Sequence, residues 1–389
     1  MSLSFSTLRV SIRSLSSAIL ALKYRVPVGT EWLGFPSFIN FSPLGTLVDE
    51  LLTALRERTR DEGIDIPGII GQKGTKRDVL SAILAGRHII VKGYPGVGKT
   101  TLARTIAELL PSVKAVEGCP YHCDPERPVC PLCRTREGKA TVNTVTGAQR
   151  FIRVQGSPDL QAEDLLGDID PVKAMKYGPT DPRAFTPGKL LKANRGVLFF
   201  DELNRCPERL QNALLQVLEE GVATLGGYDV DYPARFILIA TMNPSEYVGT
   251  EKLSEVLLDR FDTTTMTYPA TSEDERTIVQ ERGKSVEGIA VPDDLLTLMI
   301  AIVRATRDHK DIERPAGARA SIGLYERAQT NAMLQGRDSV TQQDVLDVVE
   351  SVLAHRIHLS GRVSHVKGPE EVLRDIVDTA LREAKKKRA

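Results

Sequence analysis

The sequence predicts an α/β fold, in which a parallel-sheet domain is followed by a smaller domain made only of helices. A glycine-rich loop at Gly93–Thr100 lies between a short apolar strand and an amphipathic helix, as in a strand–loop–helix unit. Two later apolar strands run into polar residues at Asp201 and Asn243, where open parallel sheets bind their ligands. From about residue 275 the apolar spacing becomes helical, which indicates the second domain.

Composition limits the classes of protein to which the chain can belong. Its 389 residues suffice for two domains, and 51 basic residues balance 51 acidic ones. No bulk positive field therefore points to nucleic acid as the main partner. No apolar run reaches the roughly 18–20 residues that a membrane span needs. Five cysteines in a chain of this size do not resemble a secreted disulfide framework, so we expect a cytoplasmic protein.

Three parts are predicted along the chain. Residues 1–60 are an N-terminal extension with a lead-in helix, residues 61–270 the sheet domain, and residues 271–389 the helical domain. The first 40 residues are rich in serine and poor in acidic residues, which suits a poorly ordered extension, a start codon placed too far upstream or an organellar transit peptide. Apolar residues from Leu44 to Leu55 have the spacing of an amphipathic helix.

The glycine-rich loop has the sequence Gly93-Tyr94-Pro95-Gly96-Val97-Gly98-Lys99-Thr100 and fits G-x-x-x-x-G-K-[ST] at every position. Its glycines let backbone N–H groups converge at a helix N-terminus, which favours bound phosphate. We expect Lys99 to reach the β- and γ-phosphates, Thr100 to hold Mg²⁺, and Thr101 to complete the nucleotide site. Ile70 and Gly71, in an apolar turn before the strand, either cover the adenine base or only lead into the core.

Polar side chains at the ends of two strands are the candidates for the hydrolytic chemistry. Asp201 and Glu202 follow an apolar run about 100 residues after the loop, and such a pair can hold Mg²⁺ and act as general base, respectively. Asn243 ends a later strand and either orients the attacking water or caps the following turn. The local sequence around Arg260, which follows an aspartate, indicates a surface ion pair.

Four cysteines, Cys119, Cys123, Cys130 and Cys133, lie in a proline-rich loop at residues 117–136 with the spacing C-x3-C-x6-C-x2-C. Two close pairs of thiolates can close a tetrahedral Zn²⁺ site, which stabilises a loop too short to build a core. Reduced thiols, a disulfide and an Fe–S cluster are the alternatives. Four protein ligands leave no open position on a metal, so we expect any such site to be structural.

Two inserts are predicted inside the sheet domain. Lys173–Lys189 is rich in proline, glycine and charge and has no helical period, which predicts a hairpin or loop. Tyr177 and Phe185 in this insert are either exposed or packed beneath it. Val222–Tyr232, broken by Gly226-Gly227, predicts a second hairpin.

Helices are predicted on both sides of the domain boundary. One runs from Pro207 to Glu220 and ends at Gly221 as a C-cap. The helical domain is predicted to contain helices at 293–308, 318–334, 341–358 and 369–387. Thr341 with Asp344 three residues later forms a capping box at the start of the third.

In their order and spacing, these motifs resemble an AAA+ ATPase, and more narrowly the ATPase subunit of magnesium chelatase and the related MoxR group. The stretches that carry the resemblance are GYPGVGKT, GVLFFDELNR, ATMNP, LLDRF and GARASIGLYERA. The resemblance covers about residues 60–360. Cys119–Pro125 and Glu163–Asp170 favour the chelatase subunit, whereas the second cysteine pair is not assigned to its pattern.

The resemblance implies a three-layer AAA+ domain with hairpin inserts and a helical lid. Lys99 and Thr100 match the Walker A residues, Asp201 and Glu202 match the Walker B pair, and Asn243 matches the sensor-1 position.

Two arginines also gain roles from the resemblance. Arg260 matches the arginine finger, which in this family reaches the neighbouring subunit's nucleotide, and this reverses its local interpretation as an ion pair. Arg319 matches the sensor-2 arginine of the lid.

A ring of subunits, hexameric by analogy, is implied as well. Such a ring would use ATP to remodel a partner that carries a von Willebrand factor A-type metal site. In magnesium chelatase, this remodelling drives Mg²⁺ insertion into protoporphyrin by a separate subunit. A MoxR-type chaperone with another client is the main alternative. Zero net charge and the lack of a basic–aromatic stripe disfavour a DNA-dependent motor, and the complete set of catalytic positions disfavours a degenerate ATP-binding scaffold.

Overall fold

The computed structural model describes residues 45–58, 65–135, 141–224, 231–243, 253–361 and 363–388. The predictions for residues 1–40 and for the Gly226-Gly227 turn lie outside these ranges. Within them, no helix combines the length and the apolar character that crossing a membrane requires.

The strands of the described residues are short. They are β1 (His88–Lys92), β2 (Val113–Val116), β3 (Val142–Val145), β4 (Phe151–Gln155), β5 (Gly167–Ile169), β6 (Phe185–Pro187), β7 (Gly196–Asp201), β8 (Val222–Thr224), β9 (Asp231–Pro233), β10 (Phe236–Met242), β11 (Phe261–Thr265), β12 (Ile312–Arg314) and β13 (His358–Leu359).

The helices surround the sheet in the first part of the chain and pack on one another in the second. They are α1 (Gly45–Arg58), α2 (Lys73–Leu84), α3 (Lys99–Leu109), α4 (Pro131–Arg134), α5 (Ala162–Leu166), α6 (Pro171–Tyr177), α7 (Lys189–Lys192), α8 (Glu208–Glu220), α9 (Glu255–Leu258), α10 (Ser272–Arg282), α11 (Asp293–Asp308), α12 (Ala318–Leu334), α13 (Gln342–Leu353) and α14 (Pro369–Arg388).

Five strands form a central parallel sheet in the order β11-β1-β10-β7-β4. The register pairs Lys92 of β1 with Met242 of β10, and Ala240 of β10 with Phe200 of β7. The carboxyl ends of these three strands therefore lie side by side at one edge. Since the glycine-rich loop and the polar residues after β7 and β10 all follow these ends, the sheet brings them together.

Alternate residues of the strands pack on opposite faces of this sheet, as the pleat requires. One face packs against α1, α2 and α3, and the other packs against α8 and the cysteine loop. The strand residues of the first face are Ile89, Val91, Val197, Phe199, Ile237 and Ile239, and those of the second are Ile90, Leu198, Phe200, Leu238 and Ala240. The predicted three-layer arrangement is thus confirmed.

The first insert is a hairpin of β5 and β6 that encloses a short helix, α6. The prediction that this stretch lacks helix was wrong for its first residues. Asp170 caps α6 by accepting hydrogen bonds from the N–H groups of Val172 and Lys173, and proline occupies the first helical position. A helix of two turns has too few apolar residues to show a period, so only the Asp-Pro signal could have indicated it.

The two aromatic residues of this insert differ in environment. Phe185 is buried and packs against Tyr232, with ring centroids 5.1 Å apart. Tyr177 is half-buried beneath the Arg183 guanidinium, which lies 4.3 Å from the ring centroid. The second predicted hairpin is confirmed by the pairing of β8 with β9.

The helical part contains the helices predicted at 293–308 and 318–334, and Thr341 donates from its backbone N–H to Asp344 as the capping box requires. The helix predicted to reach residue 358 ends at Leu353 instead. A 3₁₀ turn follows, and β13 then pairs with β12. The sequence does not predict α10. Its buried Glu275 bonds to Arg307 and Ser321, and a charged residue at a buried position hides the apolar spacing by which a helix is recognised in a sequence.

Gly196, the first residue of β7, is expected to tolerate no side chain. A Cβ atom there would lie 2.1 Å from the carbonyl oxygen of Arg150, so the backbone would have to move. We expect Gly196→Ala to lower the free energy of unfolding in urea by about 2 kcal/mol or more. Gly74→Ala in α2 is the control, because nothing lies within 4 Å of its added methyl group. Equal stability of the two variants would contradict the close approach.

Candidate functional site

A cavity of about 550 Å³ opens between the carboxyl edge of the sheet and the helical part. Its walls come from five places: the turn before α2, the glycine-rich loop, the ends of β4, β7 and β10, the segment after β11, and the helices α10 and α12. The lining residues are Gly68, Ile69, Ile70, Gln72, Pro95, Gly96, Val97, Gly98, Lys99, Thr100, Thr101, Arg153, Gln155, Asp201, Glu202, Asn243, Met266, Pro269, Ile278, Arg282, Ala318, Arg319 and Ile322.

Two glycines give the loop its shape. Gly96 has φ +83° and Gly98 has φ +104°, values that residues with a side chain rarely adopt. Gly98 is the N-cap of α3, so the free N–H groups of the first helical turn face the loop. A strand, a loop with this conformation and a helix N-terminus form a cradle that suits phosphate.

Lys99 lies at the centre of the loop with a buried side chain. Its Nζ donates to the carbonyl oxygens of Gly93 and Tyr94 and to Oδ1 of Asn243, the last two at 3.1 and 3.3 Å. Burial lowers the pKa of Lys99 to about 8, although the nearby carboxylates of Asp201 and Glu202 act to raise it.

Asp201 is the last residue of β7, and its two oxygens have different partners. Thr241 donates its hydroxyl to Oδ1 at 2.7 Å, and Arg153 donates to Oδ2 at 2.6 Å. The same Thr241 oxygen accepts the backbone N–H of Glu202 at 2.9 Å. Thr241 therefore joins β10 to the turn that carries both carboxylates.

Three side chains donate hydrogen bonds to the Glu202 carboxylate. The backbone of Glu202 has φ +55°. Asn243 donates to Oε1 at 2.9 Å, and Gln155 and Arg205 donate to Oε2, each at 3.2 Å. Because Asn243 also accepts from Lys99, its amide links the loop to the carboxylate. The amide thus bonds within the site, which favours the first of the two roles considered for it.

The other residues that the sequence indicated for nucleotide binding divide into two groups. Ile70, Thr100, Thr101 and Arg319 line the cavity, together with the loop residues from Pro95 to Gly98. Gly71, Gly93 and Tyr94 lie beside it: the Gly93 carbonyl accepts from Lys99, and the Tyr94 ring stacks on Tyr268 with centroids 5.6 Å apart. These neighbours support the loop rather than form the wall.

Sequence reasoning missed Arg153, Gln155 and Thr241 as members of the site. The first two lie on β4, which pairs with β7 so that Gln155 is opposite Asp201, and this pairing is not visible in the sequence. Thr241 could have been found, because it lies near the carboxyl end of β10, two residues before Asn243, and extended backbone places residues at this spacing on the same face.

Arg260 lies outside the cavity. Its guanidinium pairs with Glu219 on α8, and 43% of its side chain remains exposed. The partner in this ion pair is Glu219, whereas the local sequence indicated a pair on the basis of the adjacent aspartate. The role as an arginine finger concerns a neighbouring subunit and stays a prediction.

Cys119, Cys123, Cys130 and Cys133 converge, with all four sulfur atoms within 4.8 Å of one another. No disulfide bond joins these four cysteines in the structure. Hydrogen bonds from the thiols of Cys123 and Cys130 lower the pKa of Cys119, and burial raises the pKa of Cys133. The cluster lies on the α8 face of the sheet, away from the cavity lining.

Family models match three segments of the chain. Residues 65–121 match the magnesium chelatase subunit ChlI, residues 130–263 match the ATPase family associated with various cellular activities (AAA), and residues 304–377 match the AAA lid domain. A chloroplastic ChlI subunit of magnesium chelatase from Arabidopsis thaliana is 31% identical in an alignment of 319 residues that covers 74% of this chain and 74% of that protein. This chain belongs to the magnesium-chelatase ChlI family of AAA+ ATPases.

Two further proteins resemble the chain over most of their length. A 38 kDa magnesium-chelatase subunit from Acidiphilium rubrum is 30% identical over 74% of this chain and 89% of that protein. An uncharacterized protein, YeaC, from Bacillus subtilis is 28% identical over 78% of this chain and 88% of that protein. Residues 122–129 of the cysteine loop fall between the ChlI and AAA family models.

Binding of a nucleotide should be accompanied by proton uptake at Lys99. The pKa of the Lys99 amine is about 8, so the amine is mostly neutral at about pH 9, whereas a neighbouring phosphate favours its charged form. We expect uptake of most of one proton at that pH, measured by calorimetric titration with ATP in buffers of different ionisation enthalpy. Lys99→Arg keeps its charge and should take up none. Equal uptake in both proteins would exclude Lys99 as the source.

Proposed function

We propose that the chain is an ATP-hydrolysing motor subunit. One observation carries the proposal: a single cavity brings together a phosphate-binding loop, its lysine, two strand-end carboxylates and an amide that bonds to both lysine and carboxylate. These groups are the ones that phosphoryl transfer to water requires.

Each group has one task in this proposal. The loop N–H groups and Lys99 hold the phosphates, and Lys99 exchanges its carbonyl partners for phosphate oxygens. Glu202 accepts the proton of the attacking water while Asn243 fixes the orientation of the carboxylate. The water oxygen bonds to the γ-phosphorus as the bond to the β–γ bridging oxygen breaks, which leaves ADP and phosphate.

Thr100 and Asp201 fit Mg²⁺. A hydroxyl and a carboxylate are oxygen ligands of the kind that Mg²⁺ prefers, and both line the cavity beside the loop. When bound, the ion neutralises charge on the phosphates. Zn²⁺ at the cysteine cluster is the second metal that we propose.

We further propose a homo-oligomeric ring, hexameric by analogy with AAA+ proteins, in which Arg260 completes the site of the next subunit. Its exposure and its distance from its own cavity lining support this placement. An arginine supplied in trans contributes about 10³–10⁵ in rate to related NTPases. Hydrolysis would therefore depend on assembly.

The client that we propose is a protein with a von Willebrand factor A-type metal site, as in magnesium chelatase. The relatives from Arabidopsis thaliana and Acidiphilium rubrum are named as magnesium-chelatase subunits, which supports the chelatase part of this choice. A MoxR-type chaperone acting on another client is the alternative. A DNA-dependent motor would show ATPase activity that DNA stimulates and salt weakens.

Glu202→Gln should separate ATP binding from hydrolysis. The amide keeps the size and hydrogen-bonding capacity of the side chain but cannot accept a proton, so we expect turnover to fall about 10²- to 10⁴-fold with little change in ATP affinity. Steady-state phosphate release and a binding titration measure the two effects. Glu220→Gln, on the exposed side of α8, is the control and should behave as wild type. Undiminished hydrolysis in Glu202→Gln would remove it as the base.

Arg260→Ala should abolish hydrolysis in pure assemblies, yet mixing with Lys99→Ala subunits should restore part of it. In mixed assemblies, some intact nucleotide sites of the first variant receive Arg260 from the second. ATPase activity is measured across mixing ratios. Arg374→Ala, a largely exposed arginine of α14, is the control for loss of a surface charge. No recovery at any ratio would contradict an arginine supplied in trans.

A further inference from the structure

The cysteine cluster lies at the opposite end of the two strands that carry the catalytic residues. We infer that its four thiolates bind one structural Zn²⁺, and that this centre fixes the amino ends of β7 and β10. The inference rests on the proposed ATPase only in that Asp201 ends β7, Glu202 follows it, and Asn243 follows β10.

The sulfur positions fit a single ion. A zinc–sulfur distance of about 2.3 Å in a tetrahedron separates the sulfur atoms by about 3.8 Å. Cys119 and Cys130 Sγ are 3.9 Å apart, and all four sulfur atoms lie within 4.8 Å of one another. An Fe–S cluster places several iron and sulfide atoms between its thiolates and needs wider spacing. Thiolate ligands in this number and arrangement select zinc.

The backbone around the cluster is arranged to support thiolates. The N–H of Cys130 points to Sγ of Cys123, and the N–H of Cys133 points to Sγ of Cys130, each at 3.4 Å. Such hydrogen bonds stabilise negative sulfur and orient it toward a metal. Cys123, Cys130 and Cys133 are all buried, so a bound ion would be shielded from solvent.

Asn194 links the cysteine loop to both strands. Its side chain is 2% exposed; Nδ2 donates to the carbonyl oxygen of Tyr121 at 2.6 Å, and Oδ1 accepts the N–H of Arg235 at 3.1 Å. Tyr121 lies between the first two cysteines, Asn194 lies two residues before β7, and Arg235 directly precedes β10. One buried amide thus joins the three segments.

Arg195 makes a second link at the same place. Its Nη1 donates to the carbonyl oxygens of His122 at 2.9 Å and Lys114 at 3.2 Å, and its N–H donates to the carbonyl oxygen of Arg235 at 2.7 Å. Its φ of +60° is a conformation that costs energy outside glycine and asparagine. The turn into β7 is therefore held in a strained form by contacts to the cysteine loop.

The loop has little regular structure to hold it without a metal. Between β2 and the end of the loop at residue 135, the described residues contain only the four-residue helix α4. A metal centre can supply the folding energy that such a segment lacks. Loss of the ion would release Tyr121 and His122, and with them the amino ends of the two strands.

Zinc content tests the metal. We expect about one zinc per full-length wild-type chain by mass spectrometry of the metal, and less than a tenth of that in the Cys130→Ser, Cys133→Ser double variant. Cys206→Ser is the matched control, because it removes a buried thiol outside the cluster and should keep its zinc. Wild-type protein with well below one zinc per chain would overturn the metal site.

Hydrogen exchange tests the anchoring independently of the metal content. Zinc is removed from folded wild-type protein with a chelator in the presence of a reducing agent. Amide hydrogen exchange should then become about tenfold faster in peptides covering 194–201 and 235–242, because loss of about one hydrogen bond has an effect of this size. Arg195→Asn removes the guanidinium but tolerates the backbone conformation, so it should retain zinc and exchange faster in the same peptides. Unchanged exchange in both experiments, with zinc bound beforehand, would overturn the anchoring.

The outcomes remain separable from the ATPase proposal, because neither readout depends on hydrolysis. If the zinc and exchange results are as expected but wild-type protein does not hydrolyse ATP, only the proposed function is contradicted. If zinc-free protein keeps full ATPase activity and slow exchange in the two strands, only the anchoring is contradicted. The chelator experiment and Arg195→Asn also keep the test informative if the double cysteine variant does not fold.

Discussion

The register between three parallel strands is the constraint on which the site depends. β1, β10 and β7 end at one level because Lys92 pairs with Met242 and Ala240 pairs with Phe200. A slip of one residue would turn every side chain of the shifted strand to the opposite face and would separate the loop lysine from its amide partner after β10. The apolar layers on both faces of the sheet fix that register, so packing far from the cavity determines distances inside it.

Much of this arrangement could be predicted from the sequence because the decisive signals are local. The loop pattern, the carboxylates after an apolar run and the long lid helices each lie within one short stretch. Arg153 and Gln155 could not be found that way, since their place depends on which strand pairs with β7. Helix α10 could not be predicted for a related reason. Its buried Glu275 pairs with Arg304 and Arg307 of α11, and this pairing is not visible in the local sequence.

The amide of Asn243 and the buried amide of Asn194 act at opposite ends of the same layer. One joins the loop lysine to Glu202 at the carboxyl edge, and the other joins the cysteine loop to the entry of β7 and β10. Buried polar groups are costly unless every donor and acceptor is satisfied. The hydrogen bonds of these two amides therefore fix the segments that precede and follow β7 and β10.

Arg153 gives the site a feature that a list of phosphate-binding and acidic groups would not include. Its guanidinium lies 2.6 Å from the Asp201 carboxylate and is half exposed, so it balances the charge that a divalent cation would otherwise meet. A cation held by Asp201 would take over the role of counter-ion. The Arg153 guanidinium would then lie beside the cavity as a positive group that a polyanion could contact.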